Sequence, residues 1–416
     1  MATCGVRFPS ALLHARSALG KGAKLDGAGR EGEAVAMKPW SLTLLLLLAG
    51  CASGANPVFD EQTVINEVRS EEVTIRVVQV VSGLEHPWAL EFLPDGRYLV
   101  TERPGRMWVV DGARVLPLRG LPEVRALGQG GLMDVIQHPH FKNNGVIYIS
   151  YAADYGGGVG TRVARAVLEG TRLRDLDVIF QMDPPGRGGS HFGSRLAFDD
   201  HGYLYVTTGD RGQRDLAQHL DTHHGKVVRL HDDGRVPDDN PFVGRADAHP
   251  ETYSYGHRNL QGMVFDSETG LLWTHEHGPR GGDELNSIRP GLNYGWPLAT
   301  HGEEYRGGTI GTVPEALDEV ENPKVHWTPS IAPCGMAQHR AGNFPEWEGN
   351  LFVGALVQQH IRRVVLEGET VVHQEELLRD RLGRIREVAQ GPDGNIWFTT
   401  DARDGGIFRM ERVNAH

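Results

Sequence analysis

The stretch SRLAFDDHGYLYVTTGDRG, residues 194–212, holds an apolar run, a turn reading Asp-Asp-His-Gly, and a second run rich in Val, Tyr, Leu and Thr. Such residues fit a pleated, half-buried surface, and a tight turn ending on glycine between two of these runs predicts a β-hairpin. The signature recurs at WALEFLPDGRYLVTERPGRMWVV (88–110), GLMDVIQHPHFKNNGVIYISYA (131–152) and QGMVFDSETGLLWTHEHG (261–278). It returns at EWEGNLFVGALVQQHIRRVV (346–365) and IREVAQGPDGNIWFTTDARDGGIFRM (385–410), making six copies. A repeat of about 50–60 residues built from short strands predicts an all-β fold, a six-bladed β-propeller. A pair of β-sandwich domains is the alternative, but sandwiches have no need to repeat one strand-turn-strand signature. No long amphipathic helix interrupts the pattern, and in a propeller the chemistry sits in loops at one mouth of the central channel.

The composition agrees with a large globular protein. The chain has 416 residues, and its 54 glycines and 23 prolines fall between apolar runs rather than in low-complexity tracts. Lys and Arg total 42 against 54 Asp and Glu, a net charge of −12. That balance argues against a nucleic-acid binder, which needs clustered positive charge. Met37-Lys38-Pro39-Trp40 precedes an apolar run and Leu48-Ala49-Gly50-Cys51, a secretory signal too short to span a bilayer. Its ending resembles a bacterial lipobox, which implies cleavage before Cys51 and lipidation of that thiol, with plain secretion as the alternative. The expected organisation is therefore an upstream extension (1–36), a lipoprotein signal peptide (37–50), a polar linker (51–72) and the propeller (73–416). Ala52, rather than Asp, after the cysteine implies a lipid anchor in the outer membrane and a periplasmic protein. Cys334 is then the sole thiol of the propeller, so no internal disulfide is expected, and no Cys/His spacing suggests zinc.

Three loops carry candidate chemistry: GGSHFGSR (188–195) with TTGDRG (207–212), SYGHRNLQG (254–262) and EHGPRGGDELN (276–286). His191 among glycines is either an exposed loop residue or a base that a substrate can approach. Asp283 and Glu284 beside glycine and proline carbonyls suit calcium, which takes mixed carboxylate and backbone oxygens, or else form a solvated ion pair with Arg280.

GQGGL (128–132), HFGSRLAF (191–198), GKVVRL (225–230), VPDDNPF (236–242), SYGHRNLQGM (254–263), EHGPRGGDELN and NYGWP (293–297) occur in this order. Together they resemble the soluble PQQ-dependent aldose sugar dehydrogenases, relatives of soluble quinoprotein glucose dehydrogenase, over residues 75–412. The resemblance implies a six-bladed propeller that oxidises the C1 hydroxyl of aldoses to lactones by hydride transfer to PQQ, with Ca²⁺. It implies that His191 is the general base, that Asp210 orients it, and that Arg258 stands near the quinone oxygen that gains charge. It places Gln129, Asn259, Tyr305, Ala355 and Leu356 at the cofactor, and gives Arg384 and Arg386 the cofactor's carboxylates. An active-site calcium would use the carbonyls of Gly278 and Pro279, and a structural one Glu284 and the Tyr294 carbonyl.

One position departs from the family pattern. The family has a lysine after Ala-Leu, whereas this chain reads Ala355-Leu356-Val357. Gln358, Arg362 and Arg363 are the neighbours able to replace that cationic contact. His223 and His224 lie outside the mapped residues and read as solvent-exposed. The expected partners are an aldose substrate and an electron acceptor of the quinone or cytochrome kind. A non-catalytic sugar- or ligand-binding propeller, which Val357 favours, and a calcium-dependent lactonase are the alternative functions.

Overall fold

A computed structural model gives the architecture and describes residues 56–413. The expected upstream extension, the signal segment and Cys51 lie outside the described residues. The remainder is a six-bladed β-propeller whose blades are antiparallel sheets.

Blade one comprises Pro87–Phe92, Tyr98–Glu102, Arg106–Asp111 and Arg114–Pro117. Blade two follows with Leu132–Gln137, Val146–Tyr155, Gly158–Glu169 and Arg172–Gln181, and blade three with Gly193–Phe198, Leu204–Thr208, Lys226–Leu230 and Thr252–Tyr255. Blade four holds Leu260–Asp266, Leu271–Glu276, Asp283–Ile288 and Val325–Trp327, and blade five Pro333–Gln338, Leu351–Ala355, Ile361–Glu367 and Thr370–Leu377. Blade six takes Ile385–Gln390, Ile396–Thr400 and Gly405–Arg412 from the C-terminal part of the chain. It adds Thr74–Leu84 and Val58–Arg69 from the N-terminal part, so the ring is closed by strand pairing between distant segments. The first strand of each blade is innermost, and these six strands touch in a closed circle.

The blade strands are apolar on both faces because each blade is sandwiched between two others. Every blade interface carries its own buried cluster. Leu99 and Val109 of blade one meet Leu132 and Ile149 of blade two, for example, and Trp273 and Leu285 of blade four meet Leu351 and Val353 of blade five. Phe352 and Ile361 of blade five meet Ile396 and Phe398 of blade six.

Two expectations about the chain are corrected. The fifth sequence repeat, 346–365, is one strand out of phase: it pairs the second and third strands of blade five, and the inner strand is Pro333–Gln338. That strand, PCGMAQ, reaches its partner through a long connection rather than a glycine turn, so the hairpin cue is missing. The polar stretch read as a linker contributes Val58–Arg69, an edge strand so exposed that no apolar alternation marks it.

All six inner strands have a register shift within their first residues, at Pro87/Leu90, Leu132/Val135, Gly193/Leu196, Leu260/Gly262, Cys334/Met336 and Ile385/Glu387. Bulges bend a strand and re-aim its side chains. Here they all fall at the same mouth of the channel, where the loops singled out by the sequence converge.

Candidate functional site

His191 lies two residues before the inner strand of blade three, with φ of 53°. A non-glycine residue in this left-handed region is strained, and such strain persists where surrounding contacts over-determine it. Three contacts do so. The His191 N–H donates to Gln129 Oε1 at 2.7 Å. The His191 carbonyl lies so close to Gly209 that any side chain there would overlap it. Beneath, the Arg211 guanidinium covers the Phe192 ring at 3.3 Å and donates to the Gly188 carbonyl at 2.6 Å.

The imidazole Nδ1 is 2.6 Å from Asp210 Oδ1. An ionised carboxylate only accepts, so Nδ1 carries the hydrogen, and in the neutral tautomer Nε2 is the ring's acceptor. Asp210 is buried and bound on both oxygens: Gly212 N–H also donates to Oδ1 at 2.7 Å, and the Trp296 indole donates to Oδ2 at 2.8 Å. Burial pushes this carboxyl up, but the hydrogen bond and charge of His191, the Gly212 amide and Arg258 outweigh it and hold it below the usual carboxylate range.

Arg258 precedes the inner strand of blade four, and its carbonyl accepts the Asp210 N–H at 2.8 Å. Its guanidinium donates to the carbonyls of His277 at 3.0 Å and Gly278 at 2.7 Å, and approaches the Tyr305 hydroxyl at 3.4 Å. Its Nε is buried without a partner. Asn259 Oδ1 accepts the Gly193 N–H at 3.2 Å and so ties blade four to the strand that follows His191. Gly278 and Pro279 line an open cavity of about 690 Å³ together with His191, Gln129, Arg258, Tyr305 and Val357.

Behind Arg258 is a second, much smaller space lined by Glu276, Glu284, Tyr294 and Trp296. Glu276 and Glu284 face each other across paired strands. Burial, and then the charge of Glu276, push the Glu284 carboxyl well above its ordinary range. Glu276 pairs with His257 Nδ1 at 2.8 Å and accepts the Arg258 N–H at 2.5 Å, while Glu284 has only the Asn286 amide at 3.3 Å; two adjacent buried carboxyl groups of this kind suit a hard divalent cation. Asp283, read as either a calcium donor or half of a solvated pair with Arg280, is buried, which rules out the solvated pair. It accepts the N–H groups of Gly278 at 2.9 Å, Ile331 at 2.8 Å and Ala332 at 2.9 Å, so it braces two walls of the cavity.

On the opposite side, Arg384 and Arg386 converge on one carboxylate oxygen of Asp401, at 3.4 and 2.7 Å. Arg384 also donates to the Leu356 carbonyl at 3.3 Å. Ala355 and Leu356 are buried, whereas Val357 is 46% exposed at the cavity and brings no charge. Arg362 and Arg363 do not take the missing lysine's place. Arg362 is held by Glu376 at 2.6 Å, and Arg363 by Glu375 at 2.9 Å and Glu72 at 3.1 Å.

His223 and His224 are buried, not exposed. His223 accepts the Asp183 N–H at 2.8 Å, pairs with Glu251 at 2.9 Å and stacks on His249 at 4.0 Å between ring centres; His224 contacts Gln213 at 3.1 Å. Local partners satisfy both nitrogens of His223, whereas His224 Nδ1 is buried without a partner; neither burial is visible in a run of loop residues. The sequence reading also missed the role of Trp296 and the bracing role of Asp283, which depend on contacts 86 and 49 or fewer residues away along the chain.

With this geometry in place, similarity to known proteins becomes informative. The family model for glucose/sorbosone dehydrogenases matches residues 84–409. The chain belongs to that family, one of oxidoreductases. It is 42% identical over 351 residues to the aldose sugar dehydrogenase YliI of Escherichia coli K12, covering 82% of this chain and 94% of the relative. The apo-form crystal structure of the soluble aldose sugar dehydrogenase from Escherichia coli superposes with a TM-score of 0.78 at 40% identity, over 82% of this chain and 100% of that one. The PQQ-bound aldose sugar dehydrogenase of Streptomyces coelicolor superposes with a TM-score of 0.68 at 28% identity, over 85% and 100% of the two chains.

The closeness of Gly209 to the His191 carbonyl predicts that Gly209→Ala overpacks this turn and destabilises the protein by about 1–3 kcal/mol. Chemical denaturation would show this as a lower midpoint with an unchanged slope.

Proposed function

We propose that this protein oxidises the C1 hydroxyl of aldose sugars to lactones, with His191 as general base, PQQ as cofactor and Ca²⁺ at the blade-four loops. The observation that carries the reading is the His191–Asp210 pair, held in a strained backbone with Nε2 free, beside a cavity flanked by arginines. The relatives named for aldose oxidation, one of them PQQ-bound, support the substrate and cofactor class.

The residues present suit both groups. Arg258, with an unpartnered buried Nε, and the Arg384–Arg386 pair offer guanidinium forks to a planar polycarboxylate. The Gly278 carbonyl already accepts from a cation, and Glu284 is buried beside Glu276 with no cationic side chain in ion-pair contact among the described residues. When bound, PQQ supplies a two-electron acceptor for the C1 hydride, and calcium polarises it.

The chain's own groups do the rest. His191 Nε2 takes the proton of the C1 hydroxyl as the C1–H bond breaks, leaving a C1 carbonyl in the lactone product. Asp210 holds the ring in the required tautomer and stabilises the imidazolium, while Trp296 and Gly212 keep the carboxylate in place. Arg258 provides fixed positive charge where negative charge develops. A quinone or cytochrome-type acceptor outside the chain completes turnover.

The decisive assay mixes the apo-protein with PQQ, Ca²⁺ and an aldose panel and follows reduction of an artificial dye. Sugar-dependent reduction requiring both additions is expected. It should collapse in His191→Ala, and Asp210→Asn should lower kcat by about 10³–10⁴-fold through the wrong tautomer. PQQ binding without turnover would instead favour a ligand-binding propeller, the reading to which Val357 points.

A metal at Glu284 has its own signature. In chelator, Glu284→Gln should melt at a higher temperature than the wild type, because one of two buried like charges is gone. Added Ca²⁺ should raise the wild-type Tm and leave the variant nearly unmoved; equal calcium responses would remove Glu284 from the ligand set.

A further inference from the structure

Asp401 closes the second strand pair of blade six and receives more positive charge than one carboxylate can balance. Arg386 meets it at 2.7 Å, Arg384 at 3.4 Å, His86 at 2.7 Å and Arg103 at 3.9 Å. Among the described residues no other carboxylate lies within ion-pair distance of these three arginines. The other side-chain hydrogen-bond partners of Arg386 are Gln261 at 3.4 Å and the Cys334 sulfur at 3.1 Å. Three guanidinia therefore share a single carboxylate, an excess of cationic groups that calls for an anionic ligand.

Arg103 is the member of this group with no hydrogen bond from its side chain. Its main chain is fixed: its N–H donates to the His86 carbonyl at 3.0 Å, and its own carbonyl accepts the Leu132 N–H at 3.1 Å. Its side-chain stem lies against Gly131, where a methyl group would touch Cγ, so it packs against the GQGG turn that braces His191. Its side chain is 23% exposed. Burial, with Arg386 and Arg384 nearby, lowers its hold on its proton, as expected of a cation lacking a full counter-charge.

We infer that Arg103 is an anion-binding residue that joins Arg384 and Arg386 in holding a carboxylate of the cofactor, with Asp401 setting the spacing of the three forks. The inference rests on the PQQ reading above. It assigns the cofactor a third cation from blade one, on the far side of Asp401 from Leu356 and Val357. A rigid fork with free donors binds a carboxylate in two parallel bonds, and such charge-assisted contacts are worth about 10–100-fold in affinity.

The test is equilibrium binding of PQQ to the calcium-loaded apo-protein, followed by fluorescence or calorimetry, with no sugar and no turnover. Arg103→Met keeps the stem and its packing, Arg103→Lys keeps the charge, and Val357→Lys adds a cation on the other side of the cluster. Arg103→Met should raise the Kd about 10–100-fold, Arg103→Lys by less, and the Arg103→Met/Val357→Lys double variant should recover much of the loss. Thermal melts of each variant without PQQ separate binding from folding, since a purely structural arginine would not be rescued by a charge at position 357. Wild-type affinity in Arg103→Met, or a loss that Val357→Lys does not restore, would overturn the inference while leaving the cofactor reading intact. A wild-type protein that binds no PQQ would overturn both.

Discussion

The hydrogen bond between His191 Nδ1 and Asp210 Oδ1 is the constraint around which the active mouth is arranged. It requires His191 to occupy a backbone region that costs of order 1–3 kcal/mol for a non-glycine residue. It also requires a buried carboxylate to stay ionised. Neither condition is met locally. Gln129 from the entry to blade two, Gly209 and Gly212 from the second hairpin of blade three, Trp296 from the long insertion in blade four, and the Arg258 carbonyl all converge to hold it. Propeller closure makes this possible, because it brings the starts of six inner strands to one ring, each bent by a bulge.

Charge is distributed with the same economy. The chain is acidic, with a net charge of −12, yet the cavity mouth is flanked by guanidinia. Blade four places two buried carboxylates behind Arg258, and blade six gathers arginines around Asp401. The site thus has an acidic pole suited to a divalent cation and a basic pole suited to a polycarboxylate. Arg258 stands at the acidic side and reaches the loop carbonyls of His277 and Gly278. Each pole crowds groups of one sign, which a stable protein tolerates at a binding site and rarely elsewhere.

Much of the fold was legible because blade hairpins bury both faces and end on glycine turns, as in 194–212. The fifth blade and the edge strand Val58–Arg69 were not, for opposite reasons: one joins its strands by a long connection, the other is nearly all exposed. His191, Asp210 and Arg258 could be picked out from motif order, and the structure brings them together. The roles of Trp296 and Asp283 could not, since each matters through contacts to residues far along the chain. His223 and His224 misled for the same reason: their partners, Glu251, Asp183 and Gln213, decide their burial.

Nitrogen-15 NMR of the His191 ring in the apo-protein, assigned with His191→Gln, tests the central constraint most directly. In the neutral form of the ring the proton is expected on Nδ1, shifted far downfield by the Asp210 carboxylate, with Nε2 bare. A ring protonated at Nε2 instead, or one exchanging freely between tautomers, would contradict it and leave the mouth without a positioned base.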